Sequence, residues 1–246
     1  AENPETFFTH REASNSHYDA IPDVVEHYLG EISKITGREY HCFSYYGAED
    51  AENIIILMGS ATEAAREAID HLTSEGKKVG MISVHLYRPF SVKHLFATVP
   101  KTVKKIAVLD RTKEPGAEGE PLYLDVKSAF YDQENRPVIV GGRYGLGSSD
   151  ITPAKIISVY NNLELPEPKN HFTVGIVDDV TFTSLPAVEE MALGGKSIYE
   201  AKFFGLGADG TVGANKNSVK IIGDNTNKHC QAYFSYDSKK SGGFTC

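Results

Sequence analysis

The sequence has few cysteines and no long apolar run, and each shortage excludes a class of protein. Its three cysteines, Cys42, Cys230 and Cys246, are an odd number without a C-x-x-C spacing. A disulfide scaffold and cysteine-held zinc or iron–sulfur sites are therefore not expected. The longest uninterrupted apolar run is Ile54–Met58, far below the roughly 20 residues that a membrane-spanning helix needs. The chain also opens without a basic and apolar leader, which predicts a reducing, cytoplasmic compartment and no membrane partner.

Basic residues are the minority, and they are unevenly placed. The chain has 25 Lys and Arg against 33 Asp and Glu, a net charge of −8. Residues 201–246 hold six Lys, three Asp and neither Glu nor Arg, a local charge of +3 that leaves −11 for residues 1–200. The acidic bulk argues against nucleic acid as a partner. The basic, glycine-rich tail favours a small anion, and a chance fluctuation in composition would give the same pattern.

Apolar runs alternate with helical patterns between residues 50 and 163. The runs predicted as strands are Ile54–Met58, Val79–Leu86, Ile106–Leu109 and Val138–Val140. Such runs are typical of strands buried on both faces of a parallel sheet. Helical spacing occurs at 24–35, 61–72, 91–98, 121–130 and 152–163. Gly37 is expected to end the first of these helices, and Ser60 with Glu63 forms a capping-box pattern at the start of the second. The pattern predicts an α/β domain of three layers, a parallel sheet between helices.

The remainder of the chain predicts a second α/β domain that is only partial. Residues 166–200 are interpreted as a linker and a connection, stiffened by Pro166 and Pro168. A short strand is expected at 201–204. A complete domain of about 100 residues does not fit into 201–246, so we expect the chain to be a fragment.

The glycine turn Gly205–Gly210 is the one phosphate-type signal. Its G-x-G-x-x-G spacing lets backbone N–H groups approach an anion, and a following helix would direct its positive end there. A Rossmann site also needs an acidic residue about 20 positions further on, and Asp224 stands at that distance. Only about eight residues then remain for the helix, with the apolar run Val219–Ile222 after it, so the crossover is cramped. A tight turn that serves packing alone is the other interpretation.

Other candidates carry weaker signals. Gly195-Lys196-Ser197 ends like a phosphate loop, but Glu190 stands where that loop requires glycine. Asp110 follows a predicted strand on the side where α/β proteins bind ligands, and its alternative role is structural capping. The charged loop 111–121 is interpreted as a salt-bridged loop that docks on a neighbouring domain. The nine histidines lack ligand spacing, so neither a metal site nor a catalytic residue is predicted.

Several stretches together resemble the pyruvate:ferredoxin (flavodoxin) oxidoreductase family. They are VHLYRPF (84–90), LDRTKEPGA (109–117), GEPLYLDV (119–126), GGRYGLGS (141–148), GLGADGTVGANKNS (205–218) and YDSKKSGG (236–243). The resemblance implies that residues 1–165 are a transketolase C-terminal-like domain with an N-terminal helical entry. It further implies that residues 201–246 begin the family's γ-type, coenzyme A-associated domain.

The resemblance also implies an activity that this chain would not have alone. Family members are multidomain, usually homodimeric enzymes that oxidatively decarboxylate pyruvate to acetyl-CoA and CO₂. They use thiamine diphosphate, Mg²⁺ and [4Fe–4S] clusters and pass electrons to ferredoxin or flavodoxin. This sequence lacks the cluster cysteines and any recognisable thiamine-binding stretch, so we expect the fragment to be inactive.

By the same resemblance, part of the coenzyme A site falls in this chain. The implied binding residues are Gly207, Ala208, Asp209, Gly210, Thr211 and Val212 in the glycine turn, with Lys239 or Lys240. The alternative is an independent Rossmann-like module that binds a dinucleotide, with Asp224 on the ribose. The two hypotheses differ in ligand and in completeness.

Overall fold

The apolar runs form one six-stranded sheet in a computed structural model of the chain, which describes residues 2–191, 198–207 and 209–236. The strands are β1 Phe43–Gly47, β2 Asn53–Leu57, β3 Val79–Val84, β4 Lys105–Asp110, β5 Val138–Tyr144 and β6 Phe172–Val174. Their order in the sheet is β1-β3-β2-β4-β5-β6. β1 runs antiparallel to β3, and all other neighbours are parallel. The predicted parallel core is thus confirmed, and the antiparallel edge strand makes the sheet mixed.

Helices cover both faces of the sheet. The described residues form seven α-helices, α1 Pro4–Ala13, α2 Asn15–Thr36, α3 Ala61–Ser74, α4 Val92–Thr98, α5 Pro121–Phe130, α6 Pro153–Glu164 and α7 Thr211–Asn225. Of these, α3 with α6 and α4 with α5 cover the two faces. Ile55 and Leu57 pack with α3 and α6 on one face, whereas Ile54 and Ile56 pack with α4 and α5 on the other. Because successive residues of a strand point to opposite faces, one apolar run fills both cores. The three predicted layers are confirmed.

Some helix ends lie where the sequence predicts them, whereas α2 begins at Asn15, well before the predicted range 24–35. Gly37 ends α2 in the left-handed region at φ 69°, and Thr152 caps α6 by accepting the Lys155 N–H. The predicted capping box at Ser60 is wrong, because no side chain caps α3. Ser60 has helical rather than extended dihedral angles, φ −63° and ψ −19°, and a side-chain cap requires the extended conformation.

The chain divides into two compact units, Ala1–Leu193 and Gly194–Cys246. The first unit extends past residue 165, the predicted end of the domain, because β6 pairs with β5. The side-chain amide of Asn162 also donates to the Lys169 carbonyl at 3.0 Å and accepts the Lys169 N–H at 2.9 Å. The domain boundaries proposed from the sequence stay a prediction. Within the described residues, no helix combines the length and apolar character needed to cross a bilayer.

The second unit differs from its predicted local structure. The described residues show no strand at 201–204, and Val219–Ile222 belong to α7 instead of following a short helix. The half-buried residues Thr211, Asn215, Ser218 and Val219 recur at helical spacing along α7.

Candidate functional site

The glycine turn lies directly before α7, as a helix N-terminal site requires. Gly207 has φ 121° and Gly210 has φ 83°, a region that favours glycine because residues with a Cβ rarely adopt it. A Cβ on Gly205 would lie 2.9 Å from Asp209 Oδ1. All three glycines of the motif are therefore explained by backbone conformation or by space, before any ligand is considered.

Asp209 organises the turn from within. Its Oδ2 accepts the Leu206 N–H at 2.9 Å, and its Oδ1 accepts the Thr211 N–H at 3.0 Å. The backbone and hydroxyl groups of Thr211, followed by the Leu206 N–H, lower the pKa of Asp209 below its usual value. The carboxylate thus occupies two N–H groups and adds a negative charge where α7 begins.

The predicted coenzyme A residues are only partly brought together. Gly207, Asp209, Gly210, Thr211 and Val212 are adjacent in the turn and the first turn of α7. Ala208, Lys239 and Lys240 lie outside the described residues.

The Rossmann alternative does not fit the observed geometry. Asp224 belongs to the last turn of α7, a helix that begins at Thr211. At about 1.5 Å per residue, this places Asp224 about 20 Å along the axis from the glycine turn. A dinucleotide fold instead needs a strand before the turn and its acidic residue after the helix. Residues 198–207 contain no strand, so the alternative lacks both parts.

In the first unit, Asp110 has a structural role. Its two oxygens accept the N–H groups of Leu122 and Tyr123, each at 3.0 Å, and so cap α5. Burial raises the pKa of Asp110 above its ordinary value, although these two hydrogen bonds favour the carboxylate. Of the two roles considered for Asp110, the structure shows capping.

Arg143, which sequence reasoning missed, joins the loops around this edge of the sheet. It pairs with Asp110 in the β4–β5 register and is only 7% exposed. Its guanidinium donates to the His171 carbonyl and to Thr183 Oγ1, and its Nε lies 3.9 Å from Glu120 Oε1. Arginine in a buried strand end is unusual unless it is partnered, and that is the one signal that the sequence offered.

Within the described residues the loop 111–121 is held by hydrogen bonds, and its docking on a neighbouring domain stays a prediction. Thr112 Oγ1 donates to Glu114 Oε1 at 3.3 Å and Lys113 Nζ to the Glu114 carbonyl at 3.2 Å. Among the described residues, the charged side chains at 111–118 form no ion pair. Pro115–Glu118 are exposed. The loop is thus fixed at its base by Glu120 and Asp110, and its tip is open to solvent.

Comparison with known proteins assigns this fold to a class. The family model described as pyruvate:ferredoxin oxidoreductase core domain II matches residues 51–156, which hold β2 to β5. The first unit is therefore built on a core domain of that kind.

The whole chain aligns with pyruvate:ferredoxin and pyruvate-flavodoxin oxidoreductases, the family that its sequence resembles. It is 59% identical over 246 residues to a pyruvate-flavodoxin oxidoreductase of Enterobacter agglomerans. It is 52% identical over 245 residues to a pyruvate:ferredoxin oxidoreductase of Moorella thermoacetica. Each alignment covers 100% of this chain and 21% of the relative. The chain thus spans about a fifth of the length of these curated relatives.

A solved structure also aligns with part of the chain. It is a 2-oxoglutarate:ferredoxin oxidoreductase from Magnetococcus marinus with 2-oxoglutarate, coenzyme A and succinyl-CoA bound. The alignment covers 50% of this chain and 19% of that one, at 25% identity and a TM-score of 0.37.

Proposed function

We propose that this chain is part of an enzyme that oxidatively decarboxylates pyruvate. In that reaction the C1–C2 bond breaks, C1 leaves as CO₂, and the acetyl group joins the sulfur of coenzyme A. Two electrons pass to ferredoxin or flavodoxin, and the reaction is reversible. The observation that carries the proposal is identity of 59% and 52% to relatives of these names over the full chain. We further propose that the intact enzyme is a cytoplasmic homodimer.

We propose that the redox and thiamine groups are held by other parts of the longer polypeptide. Thiamine diphosphate supplies carbanion stabilisation when bound, and each [4Fe–4S] cluster takes four cysteine thiolates. This chain has three cysteines in all. Within the described residues, no three His, Cys, Asp or Glu side chains are grouped closely enough to hold a metal ion. The donor set does not fit these groups, and on this proposal the 246 residues alone do not oxidise pyruvate.

The contribution proposed for this chain is part of the coenzyme A site. The support is the glycine turn, whose positive φ angles shape it before a 15-residue helix, in a segment, residues 201–246, that has six Lys and three Asp within an acidic chain. Phosphate is favoured at such a helix start by the backbone N–H groups and the helix dipole. Lys239 or Lys240 would supply the opposing positive charge.

The lysine pair is tested in the longer polypeptide by Lys239→Ala with Lys240→Ala. Losing one charge-assisted contact of about 1.5–3 kcal/mol predicts a coenzyme A interaction that is weaker by roughly 10- to 150-fold. The KM for coenzyme A should rise by that factor, whereas decarboxylation measured without coenzyme A should be unchanged.

The matched control is Lys228→Ala, an exposed lysine in the same basic segment. An unchanged coenzyme A KM in the double variant would show that Lys239 and Lys240 are ordinary solvated charges. An equal fall in decarboxylation would show structural damage. Either result removes the site assignment and leaves the family assignment standing.

Asp209 provides a second test, because it shapes the turn from within. Asp209→Ala deletes the acceptor of both the Leu206 and the Thr211 N–H groups, whereas Asp209→Asn keeps one acceptor oxygen. We expect the alanine variant to raise the KM for coenzyme A several-fold and the asparagine variant to raise it less. The opposite order, with the alanine variant binding more tightly, would mean that the carboxylate repels the ligand and that the phosphate site lies elsewhere.

A thermal-shift screen of the 246-residue chain separates this proposal from the Rossmann alternative. Ligands that bind only the folded state raise the midpoint in proportion to the logarithm of their concentration. A shift with coenzyme A supports the proposal. A shift with NAD or NADP and none with coenzyme A would favour the alternative.

A further inference from the structure

The segment 175–184, hereafter the Asp178 loop, is folded tightly around one carboxylate. Asp178 Oδ1 accepts the N–H groups of Val180 and Thr181, both at 3.0 Å. Its Oδ2 accepts the Thr183 N–H at 2.8 Å and the hydroxyls of Thr181 and Thr183 at 2.7 and 2.5 Å. These hydrogen bonds, with that of the Thr183 hydroxyl first, hold the pKa of Asp178 far below its usual value. The loop is thus preformed.

Hydrogen bonds also attach the Asp178 loop to β6 and to neighbouring side chains. The Thr173 N–H donates to the Thr183 carbonyl at 3.1 Å, and the Leu185 N–H donates to the Thr173 carbonyl at 2.9 Å. Arg143 donates to Thr183 Oγ1 at 3.3 Å, and Lys169 Nζ donates to the Phe182 carbonyl at 3.1 Å. The position of the loop on the first unit is therefore as well determined as its shape.

This ordered loop presents apolar side chains to solvent. Val177 is 89% exposed, Val180 is 81% exposed and Phe182 is 74% exposed. Phe182 also has φ 56°, a left-handed conformation that costs free energy in a bulky residue. Ordering a strained loop in order to expose a phenylalanine has no benefit for the first unit itself, whereas rigid apolar side chains are effective anchors in an interface.

Charged groups of both signs lie beside these apolar side chains. Asp178 and Asp179 are in the loop, whereas Arg143 and Lys169 donate hydrogen bonds to it. The loop therefore lacks the purely basic surface that nucleic acid and anionic lipid headgroups require. Exposed apolar anchors with charges of both signs beside them instead fit an apolar protein surface that has a polar edge.

We propose that the Asp178 loop is a docking element for another part of the same longer polypeptide, outside these 246 residues. The relatives are about five times as long as this chain, which covers 21% of them, so most of such a polypeptide is available to cover the loop. This rests on the proposed function only in taking the chain as part of that longer enzyme.

The test places a photoreactive benzoyl-phenylalanine at position 182 of the longer polypeptide and identifies the cross-linked peptide by mass spectrometry. We expect a cross-link within one polypeptide to a residue outside these 246. A cross-link to a second copy, to a residue within the 246 or to no protein at all would overturn the proposal. The matched control is position 131, because Tyr131 is an aromatic residue, 70% exposed, at the opposite end of α5 from the Asp110 cap.

A second measurement guards against damage to the fold. Phe182→Asn removes the aromatic ring and tolerates the left-handed conformation, whereas Phe182→Leu keeps an apolar side chain. In the longer polypeptide, we expect amide exchange at 177–183 to be at least tenfold faster in the asparagine variant, with β2 unchanged. Equal exchange in both variants and the parent would show that nothing covers the loop. Neither readout depends on pyruvate turnover, so failure of the docking proposal and failure of the proposed function are distinguishable.

Discussion

The two units of this chain both contain apolar side chains, but among the described residues only the first unit buries them. Every fully buried side chain among the described residues belongs to the first unit, where five parallel strands and their helices form two apolar cores. The described residues of the second unit include α7, and none of them is buried. A helix of 15 residues is marginal without tertiary contacts. The comparison teaches that local signals shape the glycine turn and α7, whereas cooperative stability resides in the first unit.

The largest expected difference comes from deleting one phenylalanine ring in each unit. Phe172 is fully buried, so Phe172→Ala should lower the free energy of unfolding of the first unit by about 3–5 kcal/mol. Phe204 is 84% exposed, and Phe204→Ala should change it by less than about 0.5 kcal/mol. Urea unfolding followed by hydrogen exchange at β2 and β4 measures both changes. Similar losses in the two variants would refute the contrast between the units.

Replacing a glycine by alanine should lower stability in the first unit and raise it in α7. A Cβ on Gly142 would lie 2.1 Å from the Phe172 ring, so Gly142→Ala should destabilise the first unit by about 1–3 kcal/mol. Gly223 lies within α7 with no atom within 4 Å of its Cβ position. Gly223→Ala should therefore stabilise that helix by about 0.5–1 kcal/mol, read from helicity by circular dichroism.

The control for the first substitution is a double variant. Phe172→Leu with Gly142→Ala gives the new methyl group room, and should cost less than the sum of the two single changes. Strict additivity would show that the two residues do not press on each other.

The smallest effect is a pH dependence confined to the first unit. Burial opposes ionisation of Glu26, but hydrogen bonds from the Cys42 N–H at 2.8 Å and with His41 Nδ1 at 2.5 Å outweigh it, so its pKa is lowered. A lowered folded pKa stabilises the fold above the ordinary value of 4.5, and this contribution disappears as the pH falls through the folded value. Urea midpoints between pH 7 and pH 3 should therefore fall less steeply in Glu26→Gln. Asp209→Asn in the second unit should leave the midpoints of the first unit unchanged at every pH.

The sequence predicted the parts of the fold that apolar burial dictates. The runs Ile54–Leu57 in β2 and Ile106–Leu109 in β4 are apolar without interruption and buried throughout, because both faces of these strands are covered. β1 was missed because Phe43-Ser44-Tyr45-Tyr46-Gly47 is only partly buried and has neither a continuous run nor an alternating pattern. α7 was underestimated because its Gly and Asn residues weaken the helical pattern.

At the candidate site, the sequence predicted the turn but not its internal chemistry. G-x-G-x-x-G identifies where positive φ angles occur, and Gly207 and Gly210 have them. The motif does not show that the Asp209 carboxylate accepts the N–H groups of Leu206 and Thr211, although Asp two residues before a helix is a known local acceptor. Arg143 and the Asp178 loop depend on contacts between residues distant in sequence, which a single sequence does not reveal.

The antiparallel strand β1 limits how far the domain can be truncated at its N-terminal side. The family match begins at residue 51, after β1 has ended at Gly47, yet β1 covers the outer edge of β3 along five residue pairs. A piece trimmed to the family boundary would leave the backbone of β3 with open donors and acceptors, beside side chains that are buried throughout in the intact unit. Open strand edges recruit further chains. A truncated domain that stays monomeric should therefore begin before Phe43, and a chain expressed from residue 51 onward is expected to aggregate.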